Sequence, residues 1–202
     1  MKARVCADVV SVQFVPIQPF RSGGSAVQFY RSRQVLDKLF FGEFRSNNDI
    51  HNILIKCCTL NDFYSTHIFS VYSVAKHILK LNIDESLNKG DESLVEKIAN
   101  IDIVNNKGKL THHCFYSFAS KYCSHHNPKA FPVFDSYVEK ILKHFRRDNE
   151  NFQFRNEELK NYPSFKKVLL RFQELYGITK YVPKDLDRYL WQLGKDFYSN
   201  NY

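Results

Sequence analysis

The sequence predicts an all-α protein with a short extended arm at its N-terminus. Apolar residues recur every three or four positions through most of the chain after residue 33, and this spacing is typical of amphipathic helices. Residues 1–33 differ, because prolines and a Gly-Gly turn interrupt their β-branched stretches. That composition favours an extended or short β element. We therefore divide the chain into an N-terminal arm, residues 1–33, and one helical domain, residues 34–202.

The individual helices are predicted from their apolar spacing and from the residues at their ends. The clearest is 164–176, which follows Pro163 and stops before Gly177, residues that favour the start and the end of a helix. The closing helix, 183–197, begins at Pro183. The other predicted helices are 32–44, 48–58, 60–81, 91–101, 111–126 and 138–147.

The composition is that of a basic intracellular protein. The 202 residues carry a formal net charge of +8 with a pI near 9.2, which suits a polyanionic partner such as nucleic acid. Five cysteines, an odd number, are typical of free thiols in a reducing compartment. The chain has no run of about 18 apolar residues, so we expect a cytoplasmic protein that makes no membrane contact.

The most informative stretch is residues 111–142. Asn127-Pro128 ends its first helix, because the residue before a proline is pushed out of the α region. The apolar run FPVFD then places Asp135 just before the next helix, beside backbone N–H groups that lack intrahelical partners. Asp135 is therefore either a plain N-cap or a functional carboxylate. The apolar face predicted for the first helix consists of Leu110, Cys114, Phe115, Phe118, Ala119 and Tyr122.

The segment FPVFDSYVEKIL, preceded by a helix and a short loop, resembles the core of the helix-hairpin-helix DNA glycosylases, which include the MutY-type adenine glycosylases and the 8-oxoguanine glycosylases. The resemblance implies a two-lobed helical bundle that acts on double-stranded DNA as a monomer. In that superfamily the aspartate at the start of the last helix is the catalytic carboxylate, which implies this role for Asp135. Tyr137, in the same segment, is expected at the DNA.

Residues 105–111 match the family's hairpin by position, so Lys107 and Gly108 are expected to contact a DNA phosphate. The segment reads NNKGKLT and has one glycine, whereas the family has a Leu-Pro-Gly-Val-Gly type of turn. Hairpin glycines let backbone amides approach a phosphate closely. This departure keeps open an alternative, a catalytically inactive DNA-binding module of the same fold. A helical interaction protein with no nucleic-acid role is a third possibility.

Bifunctional relatives in this superfamily add a lysine nucleophile, which forms a Schiff base with the sugar. Lys109 is the first candidate, because it lies at the mouth of the predicted central helix. Lys121 is the second candidate and lies late in that helix. Since the sequence around Lys109 departs from the family pattern, we expect a monofunctional enzyme.

Two further segments match positions that contact the extruded base in 8-oxoguanine glycosylases. Asn61 matches an asparagine that fills the gap left by the base, and Asp62 follows it. Trp191 and Gln192 lie on the closing helix, which in those enzymes lines the base pocket with an aromatic residue and a glutamine. The alternatives are that Asn61 and Asp62 cap a helix and that Trp191 belongs to the core.

Histidine and cysteine are abundant between residues 112 and 126, but their spacing is not that of a metal site. Zinc sites usually contain tight pairs such as Cys-x-x-Cys, and this set contains none. The cysteines are too scattered for an iron–sulfur cluster. We therefore expect no metal and no cofactor. The residues weighed are His112, His113, Cys114, Cys123, His125 and His126.

These patterns, with the resemblance, predict a DNA glycosylase that excises a damaged or modified base and leaves an abasic site. The base would leave the stack and enter a pocket with aromatic walls. Asp135 would stabilise the positive charge that develops on the deoxyribose as the N-glycosidic bond breaks. A damaged base would indicate repair, and a modified base in invading DNA would indicate anti-phage defence.

Overall fold

The computed structural model describes residues 34–104 and 107–198, so the predicted arm, residues 1–33, lies outside the described residues. The described chain is mostly helical, as predicted, and contains a two-stranded sheet that was not predicted. No helix in these two ranges has both the length and the apolar content needed to cross a bilayer. The elements are α1 (34–41), α2 (Ile50–Tyr64), α3 (Val71–Leu81), α4 (Asp84–Lys89), α5 (Ser93–Ala99), β1 (Asn100–Val104), β2 (Leu110–Cys114), α6 (Tyr116–His126), α7 (Ser136–Asp148), a 3-10 helix (Asn156–Lys160), α8 (Tyr162–Leu175) and α9 (Pro183–Tyr198).

Helix α2 is longer than predicted. It begins after Asp49, whose carboxylate accepts hydrogen bonds from two backbone N–H groups of the first turn and so caps the helix. It ends at Tyr64 and is followed by Ser65, which has a left-handed backbone with φ 46°. The predicted break near residue 59 is wrong, because the buried face of α2 stays in phase up to Leu60. The helix predicted over 60–81 is wrong over residues 65–70 and confirmed over residues 71–81, which form α3. The buried face of α2 consists of Ile53, Lys56, Cys57 and Leu60.

The largest difference from the prediction is a β-hairpin. Strands β1 and β2 pair antiparallel, with Val104 opposite Leu110 at the turn end of the ladder. The predicted helix over 111–126 is therefore wrong over residues 111–115, and the predicted helix over 91–101 stops at Ala99. Ile101 and Ile103 face the core while their neighbours face outward, an alternation that suits a strand.

The C-terminal helices α7, α8 and α9 agree with the prediction within a few residues. Helix α8 begins after Asn161, whose side chain accepts a hydrogen bond from the backbone N–H of Ser164, and has a proline in its first turn. Gly177, with φ +66°, follows its end. Local caps and apolar spacing thus located these elements correctly.

Helices α7 and α9 lie in close contact. At Gly194 an added Cβ would lie 2.8 Å from the Cβ of Tyr137 and 2.9 Å from its carbonyl oxygen. Such an approach leaves no room for a side chain, so the contact requires glycine. This contact brings the N-terminal turn of α7, which follows Asp135, against the closing helix.

One hydrophobic core extends from α1 to α9. Phenylalanine and tyrosine dominate it, and many of their rings meet edge to face, as Phe145 and Phe172 do at 5.0 Å between centroids, a favourable aromatic geometry. Residues of this core come from the chain before α6, from α6 and the loop 131–135, and from the helices that follow. Elements from both halves of the chain therefore pack in the same core as these two segments. The largest fully buried side chains include Phe40, Phe118, Tyr122, Phe131, Phe145 and Tyr162.

Candidate functional site

Asp135 is the N-cap of helix α7, as the first of its two interpretations predicts. Its backbone is extended (φ −145°, ψ 156°), and its Oδ1 accepts a hydrogen bond of 2.8 Å from the backbone N–H of Tyr137. An N-cap uses only part of the hydrogen-bonding capacity of a carboxylate. The other oxygen, Oδ2, is therefore available to a second partner.

That partner is Lys121 in α6. Its Nζ lies 3.1 Å from Asp135 Oδ2 and donates a hydrogen bond to Ser117 Oγ at 2.5 Å. The side chain of Lys121 is 4% exposed and that of Asp135 is 17% exposed, so solvent reaches the carboxylate and hardly reaches the ammonium. The ring of Tyr64 lies 5.5 Å from the same ammonium, a distance that permits a cation–π contact.

Burial lowers the pKa of the Lys121 ammonium, while the negative charge of Asp135 opposes this shift. Charged Asp187 opposes it more weakly. Burial and the neighbouring carboxylates therefore shift the pKa of this amine in opposite directions. Its protonation depends on the charge of those carboxylates. Such a coupled, desolvated pair is a common feature of functional sites, although structural ion pairs also have it.

Serine side chains attach the loop before Asp135 to helix α6. Ser117 and Ser120 each donate a hydroxyl hydrogen bond of 3.2 Å to the carbonyl oxygen of Phe134. Ser120 Oγ also accepts a hydrogen bond of 3.0 Å from the backbone N–H of Phe134. Because these bonds involve the residue just before Asp135, they determine where its carboxylate meets Lys121.

The first turn of α9 binds the same loop from the other side. Asp187 Oδ2 accepts a hydrogen bond of 2.7 Å from the backbone N–H of Val133, and burial raises the pKa of this carboxyl to about 6. Lys184 Nζ lies 3.8 Å from Asp187 and donates to Ser124 Oγ of α6 at 2.9 Å. Neither residue was predicted from the sequence, because apolar spacing carries no information about which polar side chains of α9 face inward.

The structure corrects the choice of lysine. Lys109 lies exposed beyond the end of β1, in the turn of the β-hairpin, whereas the amine beside Asp135 belongs to Lys121. The error followed from the predicted start of the central helix. With α6 starting at Tyr116, Lys121 stands one turn after Ser117 and faces the loop 131–135.

Lys107 and Gly108 lie between strands β1 and β2, and not between two helices as in a helix-hairpin-helix turn. Gly108 has φ +74°, and an added Cβ there would meet no atom within 4 Å. Glycine is therefore favoured at position 108 by the left-handed backbone conformation and not by close packing. Asn105 and Asn106 of the predicted hairpin lie outside the described residues.

Asn61 and Asp62 lie inside α2 and do not cap a helix, which corrects that alternative. The side chain of Asn61 accepts a hydrogen bond of 2.8 Å from the backbone N–H of Ile68 and donates one of 3.0 Å to its carbonyl oxygen. Asn61 thus stabilises the turn between α2 and α3. Asp62 is exposed. An open depression of about 380 Å³ is lined by Cys58, Asn61, Asp62, Ser65, His67 and Val71.

The predicted base-contacting residues of the closing helix lie near Tyr137. The rings of Tyr137 and Trp191 meet edge to face at 6.4 Å between centroids, and Trp191 is half-buried against the core. Gln192 donates a hydrogen bond of 2.7 Å to Asp196 on the exposed side of α9. The structure thus brings Tyr137 and Trp191 together beside the helix that Asp135 caps, while Gln192 makes a contact within its own helix.

The basic residues of α7 are partly used within the protein. Lys143 forms an ion pair with Glu139, at 2.5 Å. Arg146 donates a hydrogen bond of 2.8 Å to the carbonyl oxygen of Phe154. Lys140 lies 5.7 Å from the ring centroid of Tyr137, so this cation is adjacent to the N-terminal turn of α7.

The histidines and cysteines weighed as ligands are dispersed. His112 pairs with Asp102 across the hairpin at 2.9 Å, and the ring of His113 stacks on Phe115. Cys123 is buried and Cys114 is exposed. Within residues 34–104 and 107–198, no three His, Cys, Asp or Glu side chains come close enough to hold a metal ion.

The protein is thus mostly helical and holds a buried lysine beside a partly exposed aspartate. The HI_0787_N family, described as an N-terminal domain, matches residues 24–130, which is more than half of the chain. The chain therefore belongs to this family. The match includes Lys121 and ends before Asp135 and Asp187, so the site combines residues from inside and outside the family domain.

A protein of Haemophilus influenzae, whose printed name is "Uncharacterized protein", is 46% identical to this chain over 139 residues. The aligned region covers 68% of this chain and 64% of that protein, so the chain spans less than two thirds of its relative. No solved structure matches.

Proposed function

We propose that this protein is a DNA glycosylase that excises a damaged or modified base from double-stranded DNA and leaves an abasic site. The observation that carries the proposal is the Lys121–Asp135 pair, in which a buried ammonium holds a partly exposed carboxylate at the first turn of α7. The proposal includes the fold, which we interpret as a divergent, two-lobed version of the helix-hairpin-helix glycosylase bundle.

Asp135 has the chemistry that the reaction needs. Breaking the N-glycosidic bond develops positive charge on the sugar, and a nearby carboxylate stabilises that charge or orients the attacking water. The water oxygen bonds to C1′ as the C1′–N bond breaks, and a proton from the water passes to the departing base. Because Tyr137 N–H and Lys121 Nζ already orient the carboxylate, it needs little rearrangement as charge develops.

Lys121 is a positioning residue in this proposal. Its ammonium is hydrogen-bonded by Ser117 and Asp135 and therefore orients the carboxylate while it stays protonated. The reaction is then monofunctional, with water as the nucleophile. A deprotonated Lys121 amine would instead attack C1′, and the product would be strand cleavage without added alkali.

A catalytically inactive DNA-binding module is the second candidate. It is favoured by the β-hairpin at residues 100–114, which stands where the resemblance calls for a helix-hairpin-helix. The hydrogen bonds of Asp135 to Tyr137 and Lys121 also suit a purely structural N-cap with a buried ion pair. Both candidates involve DNA, and they differ in whether a covalent bond is broken.

The test is an abasic-site assay with the full chain and Asp135→Asn. Duplexes would contain oxidised, deaminated, alkylated or glucosylated bases, and abasic sites would be detected as alkali-labile breaks on a denaturing gel. We expect breaks with the wild type on at least one duplex and a loss of at least about 100-fold in Asp135→Asn, as for other electrostatic catalytic groups. Asparagine is also a good N-cap, so the variant keeps the start of α7.

Each result separates the candidates. Equal cleavage by wild type and Asp135→Asn would exclude Asp135 as the catalytic carboxylate. No cleavage on any duplex, together with salt-dependent DNA binding, would favour the inactive module. Absence of both cleavage and DNA binding would overturn the proposal. Lys167→Ala, an exposed substitution on α8, is the control and leaves cleavage unchanged.

A further inference from the structure

The loop before Asp135 is attached to three helices, each of which binds a different residue of its backbone. Tyr162 of α8 donates a hydroxyl hydrogen bond of 2.7 Å to the carbonyl oxygen of Pro132, and Asp187 of α9 accepts one of 2.7 Å from the N–H of Val133. Serines of α6 bind the residue that follows. Side chains from distant parts of the sequence therefore fix three consecutive residues, and the position of the next carboxylate depends on them.

Asp187 differs from the other attachments in its charge. The serines are neutral, and so is Tyr162, because burial and nearby groups that include Asp187 raise the pKa of its hydroxyl. The side chain of Asp187 is 4% exposed, and burial raises its pKa to about 6, so at neutral pH most of it is ionised. A buried charge is unfavourable unless an opposite charge offsets it. A neutral acceptor would also satisfy the Val133 N–H, so the hydrogen bond does not explain the charge.

Three cations lie near enough to Asp187 to stabilise its negative charge, namely Lys184, Arg188 and Lys121. Lys184 Nζ is 3.8 Å away, beyond hydrogen-bonding distance, and donates to Ser124 at 2.9 Å. The side chain of Arg188 is more than a third exposed at the surface of α9. Lys121 is the most deeply buried of the three, and attraction between charges is strongest where water is excluded.

The Lys121 ammonium thus has two carboxylates of different exposure. Burial lowers its pKa, and the charges of Asp135 and, more weakly, Asp187 oppose that shift. The third titratable neighbour is Tyr64 of α2, whose ring lies 5.5 Å from the amine. In the proposed reaction Asp135 faces the positive charge that develops on the sugar, which partly offsets its attraction for the ammonium. Asp187 is buried away from the substrate and keeps its full charge at that moment.

We propose that Asp187 is a second positioning residue of the site. Its charge stabilises the Lys121 ammonium, and its hydrogen bond to Val133 fixes the loop that ends at Asp135. This inference rests on the proposed function, because positioning matters for a carboxylate that takes part in a reaction. It gives the reason why the amine beside Asp135 orients the carboxylate and does not act as a nucleophile, since a second, buried carboxylate favours its protonated form.

Helix α9 is suited to this role because it contacts the elements that supply both members of the pair. It contacts α6 through the hydrogen bond from Lys184 to Ser124, and it contacts α7 through the close approach at Gly194. Asp187 lies between these two contacts in the helix and binds the loop. Its charge therefore has a fixed position relative to Lys121.

The test separates the charge of Asp187 from its hydrogen bond. Asp187→Asn keeps an acceptor for the Val133 N–H and removes the charge, whereas Asp187→Ala removes both. Tyr162→Phe removes a neutral attachment of the same loop. The matched control is Asp185→Asn, which removes a carboxylate that is 48% exposed on the same helix. Circular dichroism and thermal unfolding would show whether each variant is folded.

The protonation of Lys121 would be measured without DNA, by nuclear magnetic resonance of the full chain with isotope-labelled lysine. The resonance of Lys121 is identified by its absence in Lys121→Arg and is followed as the pH is raised. We expect Asp187→Asn to lower the pKa of Lys121, because the ammonium loses one of its two carboxylates. Tyr162→Phe and Asp185→Asn leave it unchanged. A pKa of Lys121 that Asp187→Asn does not lower, or that Asp185→Asn lowers equally, overturns the inference.

Excision would be measured as a function of pH on a duplex that the wild type cleaves. Because the protonated ammonium orients Asp135, excision by Asp187→Asn is expected to decline at lower pH than excision by the wild type. At a pH where the variant has lost this proton, kcat falls at least about tenfold and KM changes little. Asp187→Ala loses more, because its loop is also released. A fall in kcat with an unchanged pH profile would indicate a purely structural role and overturn the inference.

Failure of this inference is distinguishable from failure of the glycosylase. If Asp135→Asn abolishes excision while Asp187→Asn changes neither the pKa of Lys121 nor the pH profile, the enzyme stands and the inference is overturned. If the pKa of Lys121 falls in Asp187→Asn but the wild type cleaves no duplex, the coupling between the two residues is supported and the enzymatic proposal falls.

Discussion

Within residues 34–104 and 107–198, two lysines are buried, and their surroundings differ. Lys56 in α2 is fully buried and donates hydrogen bonds to the carbonyl oxygens of Arg45 and Ser46 and to Asn47 Oδ1, at 3.2, 3.1 and 2.7 Å. Lys121 in α6 donates to one serine and to a carboxylate that solvent reaches. Neutral oxygens of the protein accept the hydrogen bonds of the Lys56 amine. The Lys121 amine instead forms an ion pair with Asp135, a carboxylate that is partly exposed to solvent.

The surroundings of Lys56 form a closed polar network. Asn47 donates to Asp84 through its backbone at 3.0 Å and through its side chain at 2.5 Å, and Tyr122 donates to Asn47 Oδ1 at 2.5 Å. His126 lies 3.4 Å from the Lys56 amine, and burial lowers the pKa of this histidine. Such a network, satisfied on every side, stabilises one arrangement of the segment before α2.

Burial of a lysine is therefore not by itself a sign of function. Burial lowers the pKa of both amines, so the direction of the pKa shift does not distinguish the two lysines. Their partners distinguish them, because of these two lysines only Lys121 pairs with a carboxylate that a substrate can also contact. A functional interpretation of this chain therefore depends on Asp135 rather than on either lysine.

The largest effect on stability is expected from Lys56→Met. The substitution leaves two backbone carbonyls and Asn47 without their donor, and unsatisfied buried groups cost about 1–3 kcal/mol each. We expect the free energy of unfolding to fall by about 3–5 kcal/mol, measured by urea denaturation, with base excision retained by the folded fraction. A loss below about 1 kcal/mol would show that the network is loosely held. Lys167→Met is the exposed control.

A smaller loss of stability, with a larger loss of activity, is expected from Lys121→Met. Asp135 is partly exposed and can be hydrated when the ammonium is removed, so we expect a loss of about 1–3 kcal/mol. Excision is expected to fall at least about tenfold, because the carboxylate loses its positioning partner. Lys121→Arg, which keeps the charge, partly restores excision if positioning is the role. Full excision by Lys121→Met would show that Lys121, like Lys56, has no role in positioning the catalytic carboxylate.

The smallest effect is a pH dependence that belongs to Lys56. Burial lowers the pKa of this amine from 10.5 to about 8, so between these pH values the unfolded chain binds more protons there than the folded chain. The contribution of this group to the free energy of unfolding therefore rises as the pH increases from about 8 to 10.5. We expect the stability difference between wild type and Lys56→Met to grow over that range. A difference that is constant or shrinks would show that the amine stays fully charged.

Much of the fold was predictable because local signals decide it. Helices α7, α8 and α9 follow from apolar spacing and from caps such as Asn161, and these depend on residues within a few positions of each other. The position of Asp135 at the start of α7 follows for the same reason. The glycosylase resemblance and the proposed reaction stay predictions.

The errors occurred where distant residues decide the local structure. LTHHC contains apolar residues that fit a helix, but it pairs with residues 100–104 as a strand, and a short segment can be either until a partner is known. Helix α2 continues through residues 59–64 and packs against α3 and α6, partners that are distant in the sequence. Asn61 then serves the turn that follows α2 and not a helix start.

Composition, periodicity and capping are local properties of the chain, so a basic, mostly helical protein with a carboxylate at the start of α7 could be predicted from them. Two contacts could not be predicted in this way, because they join distant residues. Lys121, separated from Asp135 by 14 positions, supplies the amine beside it, and Asp187 of α9 binds the same loop. These contacts arise when helices that are distant in sequence bury their apolar faces together and bring polar side chains within hydrogen-bonding distance. No single segment contains that information.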